Sequence, residues 1–360
     1  MRLGLLIYGS LDSLSGGYLY DRKLVEHLQE QGDQVEAISL PWRNYMSHLG
    51  DNLSSSLLQR LSALEVDILL QDELNHPSLF WLNRRLQQRV SYPIISIVHH
   101  LRLSERHPTW LNQLYLCVER NYLTSVNGFI YNSQTTKNVV ENLVGAGYPS
   151  QVAYPAGNQL QAGLTEGEIR QRAIRPGPIQ VLFLGNVIPR KGLHTLLQAV
   201  SQLQAGSWSL AVIGSLESDQ TYAAHMQQLA TQMRLSSQVR FLGTLADHEL
   251  TDQLSKAHVL VVPSSYEGFG IAYLEGMGFG LPAIATTAGS AHELITHEVD
   301  GYLIEPDDAI HLAQLLKNLY ENRKQLTRMS LAAQRRFSIH PTWKQSMAQI
   351  RTFLLQMSTA

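Results

Sequence analysis

The 360-residue chain lacks several features that define large classes of proteins. A single cysteine, Cys117, excludes an internal disulfide framework and favours a reducing compartment. No apolar run approaches the roughly 20 residues of a membrane-spanning helix, and the short run over residues 3–8 fits a buried strand better than a signal peptide. The net charge of -2 argues against a general nucleic-acid binder. We therefore expect a cytoplasmic protein with no nucleic-acid partner, either in solution or peripheral on the cytoplasmic membrane face.

Two ligand-binding motifs are also missing. The glycine fingerprint of dinucleotide-binding folds does not follow the first apolar run, which argues against an NAD-linked oxidoreductase. No Asp-x-Asp occurs, so a carboxylate pair that would hold Mg²⁺ on a diphosphate has no obvious source. The adjacent His99 and His100 have no third ligand at a spacing that suits zinc. We therefore expect no metal site.

Twelve short apolar runs are present, separated by segments of helical length. Because such runs are apolar on both faces, they indicate parallel sheets covered by helices. Two sets of six strands fit two doubly wound, Rossmann-like domains better than one twelve-stranded sheet. The predicted class is α/β, with domains over 1–160 and 175–340, a polar connection over 157–178, and a C-terminal helix over 341–360 for which packing on the first domain is one option. The predicted strands are residues 3–8, 35–40, 68–70, 94–98, 129–131, 152–154, 181–184, 210–213, 239–242, 259–262, 283–286 and 302–304.

The most informative stretch runs from Glu267 to Glu275, just after the apolar run 259–262. Gly268 and Gly270 allow backbone N–H groups to approach an anion, and the helix that follows offers its positive end. Glu275 lies about two turns further on, so the two carboxylates can reach opposite ends of one ligand. This pattern favours a phosphate-bearing ligand such as a sugar joined to a nucleotide through a diphosphate.

A second loop places cations beside a glycine. Gly185 and Asn186 follow the run 181–184, and Arg190 and Lys191 come shortly after them. Arginine offers a planar fork for phosphate oxygens and lysine a mobile point charge. Two solvated charges are the alternative, but cations at the positive end of a helix are locally unfavourable. An anionic partner is the better explanation, and we predict that this loop neutralises a diphosphate.

The first half of the chain offers weaker signals. Gly16 and Gly17 follow the first strand, where glycines permit close approach of a ligand, although an ordinary helix-start loop has the same composition. His99 follows the run 94–98, where a histidine can hydrogen-bond sugar hydroxyls near neutral pH. Most of the fourteen histidines must be structural or solvated, and that alternative stays open for His99.

Taken together, these residues resemble the family 4 retaining glycosyltransferases of the GT-B type. The resemblance covers nearly the whole chain and is most specific in its last third, and a bacterial glycolipid-forming member is one option. The residues that carry it are Gly16-Gly17, His99, Pro189-Arg190-Lys191-Gly192, Pro263-Ser264, the stretch from Glu267 to Glu275, Gly280-Leu281-Pro282-Ala283-Ile284, Gly289, Glu293-Leu294-Ile295 and Asp300-Gly301.

The resemblance implies two domains facing a cleft and a retaining, metal-independent hexose transfer from a UDP- or GDP-sugar. That donor is a substrate, so no cofactor is expected. The implied catalytic residues are His99, Glu267, Arg190 and Lys191. The implied donor-binding residues are Gly16, Gly17, Asn186, Arg190, Lys191, Gly268, Phe269, Gly270 and Glu275.

Individual roles follow from the same resemblance. Glu275 would bind the ribose hydroxyls, Glu267 would face the donor sugar, and Lys191 would hold the diphosphate. His99 would contact the transferring sugar from the other domain. Asn186 departs from the family, which often has arginine at that position, and Arg190 is the expected source of the missing charge.

The acceptor is a separate question. Residues 79–122 carry six arginines against two glutamates, together with several aromatic residues, and such a combination is attracted to anionic membranes. The alternative is a set of core-facing stripes, since Trp110, Leu114, Val118 and Tyr122 recur at steps of four. A lipid-linked acceptor such as a glycosylated diacylglycerol and a soluble or polysaccharide acceptor both stay open, as does a non-catalytic nucleotide-sugar-binding protein. The sequence carries no signal for the oligomeric state.

Overall fold

The computed structural model of the chain describes residues 1–13, 15–160 and 163–358. The chain divides into two compact units, the first comprising Met1–Pro155 with Trp343–Ala360 and the second Ala156–Thr342. Each unit is built on a six-stranded parallel sheet covered by helices, which confirms the predicted α/β class. All twelve predicted strands are present; β4 and β11 have the predicted ends, and the ends of the others shift by at most two residues.

The first unit has the strand order β2-β1-β3-β4-β5-β6. Its central strands β3 and β4 are buried along their whole length, as expected for continuous apolar runs. The strands are β1 (Arg2–Tyr8), β2 (Gln34–Leu40), β3 (Ile68–Asp72), β4 (Ile94–Val98), β5 (Gly128–Tyr131) and β6 (Ser150–Val152). The helices are α1 (Gly16–Glu30), α2 (Tyr45–Leu49), α3 (Ser55–Ser62), α4 (His76–Leu79), α5 (Leu82–Leu86), α6 (Thr109–Leu123), α7 (Gln134–Val144) and α16 (Trp343–Ser358).

The second unit has the strand order β12-β11-β10-β7-β8-β9. The strands are β7 (Ile179–Leu184), β8 (Trp208–Ile213), β9 (Val239–Gly243), β10 (Val259–Val261), β11 (Ala283–Thr286) and β12 (Gly301–Ile304). The helices are α8 (Glu166–Ile174), α9 (Leu193–Val200), α10 (Gln220–Gln232), α11 (Asp247–Lys256), α12 (Ile271–Gly278), α13 (Ala291–Leu294), α14 (Ala309–Glu321) and α15 (Arg323–Ile339).

The segment 157–178, interpreted above as a polar connection, contains helix α8 of the second unit. Thr165 starts this helix with a capping box: its hydroxyl accepts from the Glu168 amide at 3.3 Å, and Glu168 Oε2 accepts from the Thr165 amide at 2.8 Å. Ile169 is fully buried. The sequence analysis did not predict this helix, because the polar and glycine content of the segment masked its Thr-x-x-Glu start.

Helix α16 closes the chain and belongs to the first unit, where it packs on α1. The Trp343 and Tyr20 rings meet edge to face at 5.9 Å between centroids. Arg351 Nε donates to Asp33 Oδ2 at 2.6 Å. Among the described helices, none combines the length and the apolar character that a membrane crossing requires.

Candidate functional site

The second unit has a topological switch point between its two central strands. From β7 the chain proceeds to β8 and β9 on one side of the sheet, and it then returns to place β10 on the other side. In open α/β sheets, ligands bind in the crevice at the carboxyl ends of the strands at such a point. The loops that follow β7 and β10 therefore define the candidate site, and they contain the predicted cations and the first predicted carboxylate.

Lys191 and Glu267 meet at this switch point. Lys191 Nζ donates to Glu267 Oε2 at 2.6 Å, and the Ser264 hydroxyl donates to the same oxygen at 3.1 Å. Burial alone would raise the pKa of Glu267, but Lys191 and Arg190 outweigh it and lower the pKa to about 2. Burial lowers the pKa of Lys191, and Glu267 opposes that shift. The site thus contains a buried carboxylate that stays ionised beside a lysine.

Arg190 joins the same cluster through its backbone and its side chain. Its guanidinium donates to the Tyr266 carbonyl at 2.8 Å and lies 3.9 Å from Glu267 Oε1. Its carbonyl accepts from the Ser265 amide at 2.8 Å. Gly192 permits this contact between the loops, because its φ is +71° and a Cβ there would lie 2.0 Å from the Pro263 carbonyl oxygen. The loops after β7 and β10 are therefore fastened together.

Glu267 is fixed from a third loop as well. Gly289, after β11, forms an isolated bridge with Glu267, and the Ser290 amide donates to the Glu267 carbonyl at 3.0 Å. Gly289 has φ +92°, and a Cβ there would lie 2.1 Å from the Glu267 carbonyl oxygen. Only glycine fits this approach, so the position of the Glu267 carboxylate is set by three strand-end loops.

Glu275 lies on α12 and is partly buried. Burial, and to a smaller extent Asp247 at the start of α11, raise its pKa to about 7. Within the described part of the chain, its carboxylate makes no hydrogen bond and no ion pair. A partly buried carboxylate without a donor partner is suited to accept hydrogen bonds from a ligand's hydroxyl groups.

The remaining predicted donor-binding residues of this unit surround the same crevice. Asn186 is partly exposed in the loop after β7, and its carbonyl accepts from the Ile188 amide at 2.9 Å. Gly268, Phe269 and Gly270 connect Glu267 to α12, and Phe269 is buried against the ring of His340. The first-turn amides of a helix have no intrahelical partner, so this loop offers donors for an anion.

The first unit has its own switch point between β1 and β3. Gly16 and Gly17 start α1 after β1, and His99 follows β4. A Cβ on Gly17 would lie 3.2 Å from His99 Cδ2, so the glycine makes room for the histidine ring. The structure therefore brings Gly17 and His99 together, and the roles of both residues toward a donor stay predictions.

Three buried acids near His99 were missed by the sequence analysis. Asp21 Oδ1 lies 3.3 Å from His99 Nε2, and an Asp72 carboxylate oxygen lies within 4.8 Å of both groups. Glu73 follows directly and is also buried. A signal for Asp21 was available, since it occupies the apolar stripe of α1 with Leu24 and Leu28, where a charge is unexpected.

For residues 79–122, the sequence analysis gave core-facing apolar residues as the alternative to a membrane-binding surface, and the structure supports most of that alternative. Val118 and Tyr122 are buried, and Leu114 is partly buried. Trp81 and Trp110, in contrast, expose 47% and 71% of their surface. These two tryptophans are the part of the stretch that the protein core does not explain.

Residues 165–336 match the family model described as "Glycosyl transferases group 1". A curated relative from Corynebacterium glutamicum, the GDP-mannose-dependent monoacylated alpha-(1-6)-phosphatidylinositol monomannoside mannosyltransferase, is 31% identical over 180 residues. That match covers 47% of this chain and 45% of the relative. The chain therefore spans less than half the length of this relative.

Two solved structures resemble the chain over nearly its whole length. Sucrose-phosphate synthase from Thermosynechococcus elongatus has a TM-score of 0.84 at 19% identity and covers 99% of each chain. Anabaena HepE in complex with UDP has a TM-score of 0.75 at 21% identity, and the match covers 99% of this chain and all of that one. At these identities the likeness establishes the fold, which is of the predicted GT-B type.

Proposed function

We propose that this chain transfers a hexose from a nucleotide-sugar donor to an acceptor hydroxyl, because its residues 165–336 match the family model of the group 1 glycosyltransferases. The observation that carries the proposal is the Lys191–Glu267 pair at the switch point of the second unit, with Glu275 unpaired on the following helix. Cations, a fixed carboxylate and a second carboxylate without a protein partner match the diphosphate, sugar and ribose of such a donor.

Each part of the donor has a partner in this arrangement. A lysine ammonium has three N–H donors. Lys191 directs one of them at Glu267, and we propose that the other two bind diphosphate oxygens. Arg190 adds a second cation at the same place. Glu275 accepts from the ribose hydroxyls, and the loop Gly268–Gly270 directs backbone donors at the phosphate and sugar. Asn186 contributes a neutral side chain at the same crevice.

The proposed chemistry is a metal-independent transfer with retention of anomeric configuration. The bond between the sugar C1 and the diphosphate oxygen breaks, and a bond from C1 to the acceptor oxygen forms on the same face. The acceptor proton passes to the departing phosphate oxygen, so no protein nucleophile is required. Lys191 and Arg190 stabilise the negative charge that develops on the leaving group, and His99 and Glu267 contact the sugar.

A panel of UDP- and GDP-hexoses, with product nucleotide as the readout, tests this proposal. We expect release of UDP or GDP from at least one donor, and its loss in Lys191→Ala and Glu275→Ala. Tight binding of a donor without any turnover would favour the alternative, a non-catalytic nucleotide-sugar-binding protein. Turnover at near-normal rates in both variants would contradict the assignment of the site.

For the acceptor we propose a lipid-linked sugar at an anionic membrane surface, which makes the protein a cytoplasmic, peripherally bound enzyme. The support is the exposed Trp81 and Trp110, with the Arg85 guanidinium stacked 5.8 Å over the Trp81 ring. Amphipathic aromatic rings beside cations are typical of membrane-surface binding. The Corynebacterium relative acts, by its name, on a phosphatidylinositol mannoside.

Flotation with liposomes that contain or lack anionic lipid tests this second part. We expect the protein to float with anionic vesicles and to stay at the bottom of the gradient when the vesicles are neutral. Exclusion from both kinds would contradict the lipid acceptor and favour a soluble or polysaccharide acceptor.

A further inference from the structure

His99 follows β4 and lies beside buried acids that the proposed chemistry does not use. Asp21 from α1 and Asp72 from the end of β3 are fully buried, and His99 is 8% exposed. Both oxygens of Asp21 lack a hydrogen-bond partner among the described residues. Burying carboxylates is costly unless a positive charge is nearby, and in this cluster that charge can come from the imidazole.

The two ring nitrogens of His99 have different surroundings. Nε2 is buried and lies 3.3 Å from Asp21 Oδ1. Nδ1 is not among the fully buried atoms, and within the described ranges it has no hydrogen-bond partner. One nitrogen therefore faces a carboxylate inside the protein, and the other is left for an external ligand.

The ring is also held in place by its neighbours. Gly17 packs against its Cδ2 and Nε2 edge, and Tyr20 meets it edge to face at 5.3 Å between centroids. The His99 carbonyl accepts from Asn132 Nδ2 at 2.8 Å. The orientation that places Nε2 toward Asp21 is thus fixed from α1, β4 and the end of β5.

We propose that Asp21 is a positioning residue for the transfer reaction: it holds His99 with Nε2 protonated, so that the ring presents a charged Nδ1–H to an oxygen of the sugar-nucleotide donor. A carboxylate beside Nε2 requires a proton on that nitrogen. A neutral ring would then offer only a lone pair at Nδ1, which repels phosphate or ether oxygens. Only the imidazolium can donate there. This inference rests on the proposed function.

The charges around His99 favour the imidazolium. The groups that face it are Asp21 from α1 and Asp72 and Glu73 from the end of β3, while the adjacent His100 pairs with Glu105 at 2.8 Å. Burial lowers the pKa of His99, but the three acids outweigh it and raise the pKa to about 9. Burial, and to a smaller extent Asp21, raise the pKa of Asp72 well above its usual range.

The test is Asp21→Asn, which keeps the shape and removes the charge. His99 stays protonated up to its raised pKa, so wild-type kcat should hold until about pH 9. In the variant we expect the alkaline limb of the kcat–pH profile to move down by about 1 to 3 pH units, with kcat near the wild-type value below pH 6. Glu26→Gln removes a charge from the exposed face of the same helix and should leave the profile unchanged.

A second measurement needs no substrate. Nitrogen shifts of labelled His99, assigned with His99→Gln, report its titration and the protonated nitrogen in the whole protein. We expect a raised pKa in the wild type, a lower one in Asp21→Asn, and a proton on Nε2 at high pH. An unshifted pKa or an Nδ1-protonated neutral ring would overturn the proposal, as would an unchanged kcat profile. If the pair titrates as expected but no donor is turned over, the proposed function fails, and the role of Asp21 in transfer fails with it.

Discussion

Lys191 Nζ lies 2.6 Å from Glu267 Oε2 at the carboxyl ends of two neighbouring central strands, and both side chains are largely buried. The pair arises because β7 and β10 are adjacent in the sheet, although Lys191 and Glu267 are 76 residues apart in the sequence. Each of the two buried charges is stabilised by the other, and the pair lies where we propose that a phosphate-bearing ligand binds. We therefore expect stability and donor binding to depend on the same two residues.

Removing Lys191 should damage both properties. In Lys191→Ala the buried Glu267 loses its main counter-charge, and we expect the free energy of unfolding to fall by about 3 to 5 kcal/mol. We expect kcat for nucleotide release to fall about 10²- to 10³-fold, the usual cost of losing one donor to a developing negative charge. Denaturant melts and donor turnover measure the two effects.

The double variant Lys191→Ala, Glu267→Gln separates stability from catalysis. It removes the carboxylate that Lys191→Ala leaves without its main counter-charge, so much of the lost stability should return while kcat stays low. Lys256→Ala, which breaks an exposed pair with Asp252, serves as the control. It should change the free energy of unfolding by no more than about 0.5 kcal/mol and leave kcat unchanged. Recovery of turnover in the double variant would contradict a direct role for Lys191.

Glu275 should make stability depend on pH. Its pKa is about 7 in the folded protein and about 4.3 in an unfolded chain. Between these values the folded state binds more protons, so the free energy of unfolding falls as pH rises from about 4.3 to 7 and then levels off. Glu275→Gln removes this penalty and should be more stable than the wild type by up to about 3 kcal/mol at pH 8, with no difference near pH 4.

The same variant tests the ribose contact. If ionised Glu275 accepts from the ribose, the wild-type KM for the donor should rise as pH falls below 7, whereas Glu275→Gln should have a high KM at every pH. Denaturant melts at pH 4 and pH 8 and donor KM values across this range provide both tests. Glu321→Gln, on the exposed face of α14, is the matched control. A pH-independent wild-type KM would contradict the assignment.

The sequence predicted the secondary structure well because the strands of parallel sheets are buried on both faces and read as continuous apolar runs. It also placed Arg190, Lys191 and Glu267 after strands, and the structure confirms that the three meet. The contacts of His99 could not be predicted, since Asp21, Asp72 and His99 come from three elements and no local spacing relates them. Helix α8, in contrast, could have been predicted, because the Thr165-x-x-Glu168 capping box is a local sequence signal. It was missed because the segment was interpreted from its composition alone.

Membrane binding should depend on the two exposed tryptophans. Trp81→Ser, Trp110→Ser removes aromatic rings that the core does not hold, so the protein should fold normally and lose most of its flotation with anionic vesicles. Turnover of a water-soluble acceptor analogue should be unaffected. Trp208→Phe, a change at a fully buried tryptophan of the second unit, controls for loss of an indole ring. Unchanged flotation of the double variant would show that another surface binds lipid.

The attachment of α16 to the first unit should also depend on pH. Burial opposes ionisation of Asp33, but Arg351 and the N-terminal amine of Met1, which lies 2.7 Å from Asp33 Oδ1, outweigh it, so the pKa of Asp33 is lowered in the folded protein. The stabilisation from this pair is fully present above the unfolded pKa of about 3.9 and is lost as pH falls through the lower folded value. Arg351→Gln should therefore lower the free energy of unfolding by up to about 1 kcal/mol at pH 7, and the difference from the wild type should shrink toward pH 2. Arg335→Gln, at an exposed position of α15, should leave the melting curve unchanged. A constant difference between Arg351→Gln and the wild type across this range would show that the side chain stabilises α16 by packing rather than by charge.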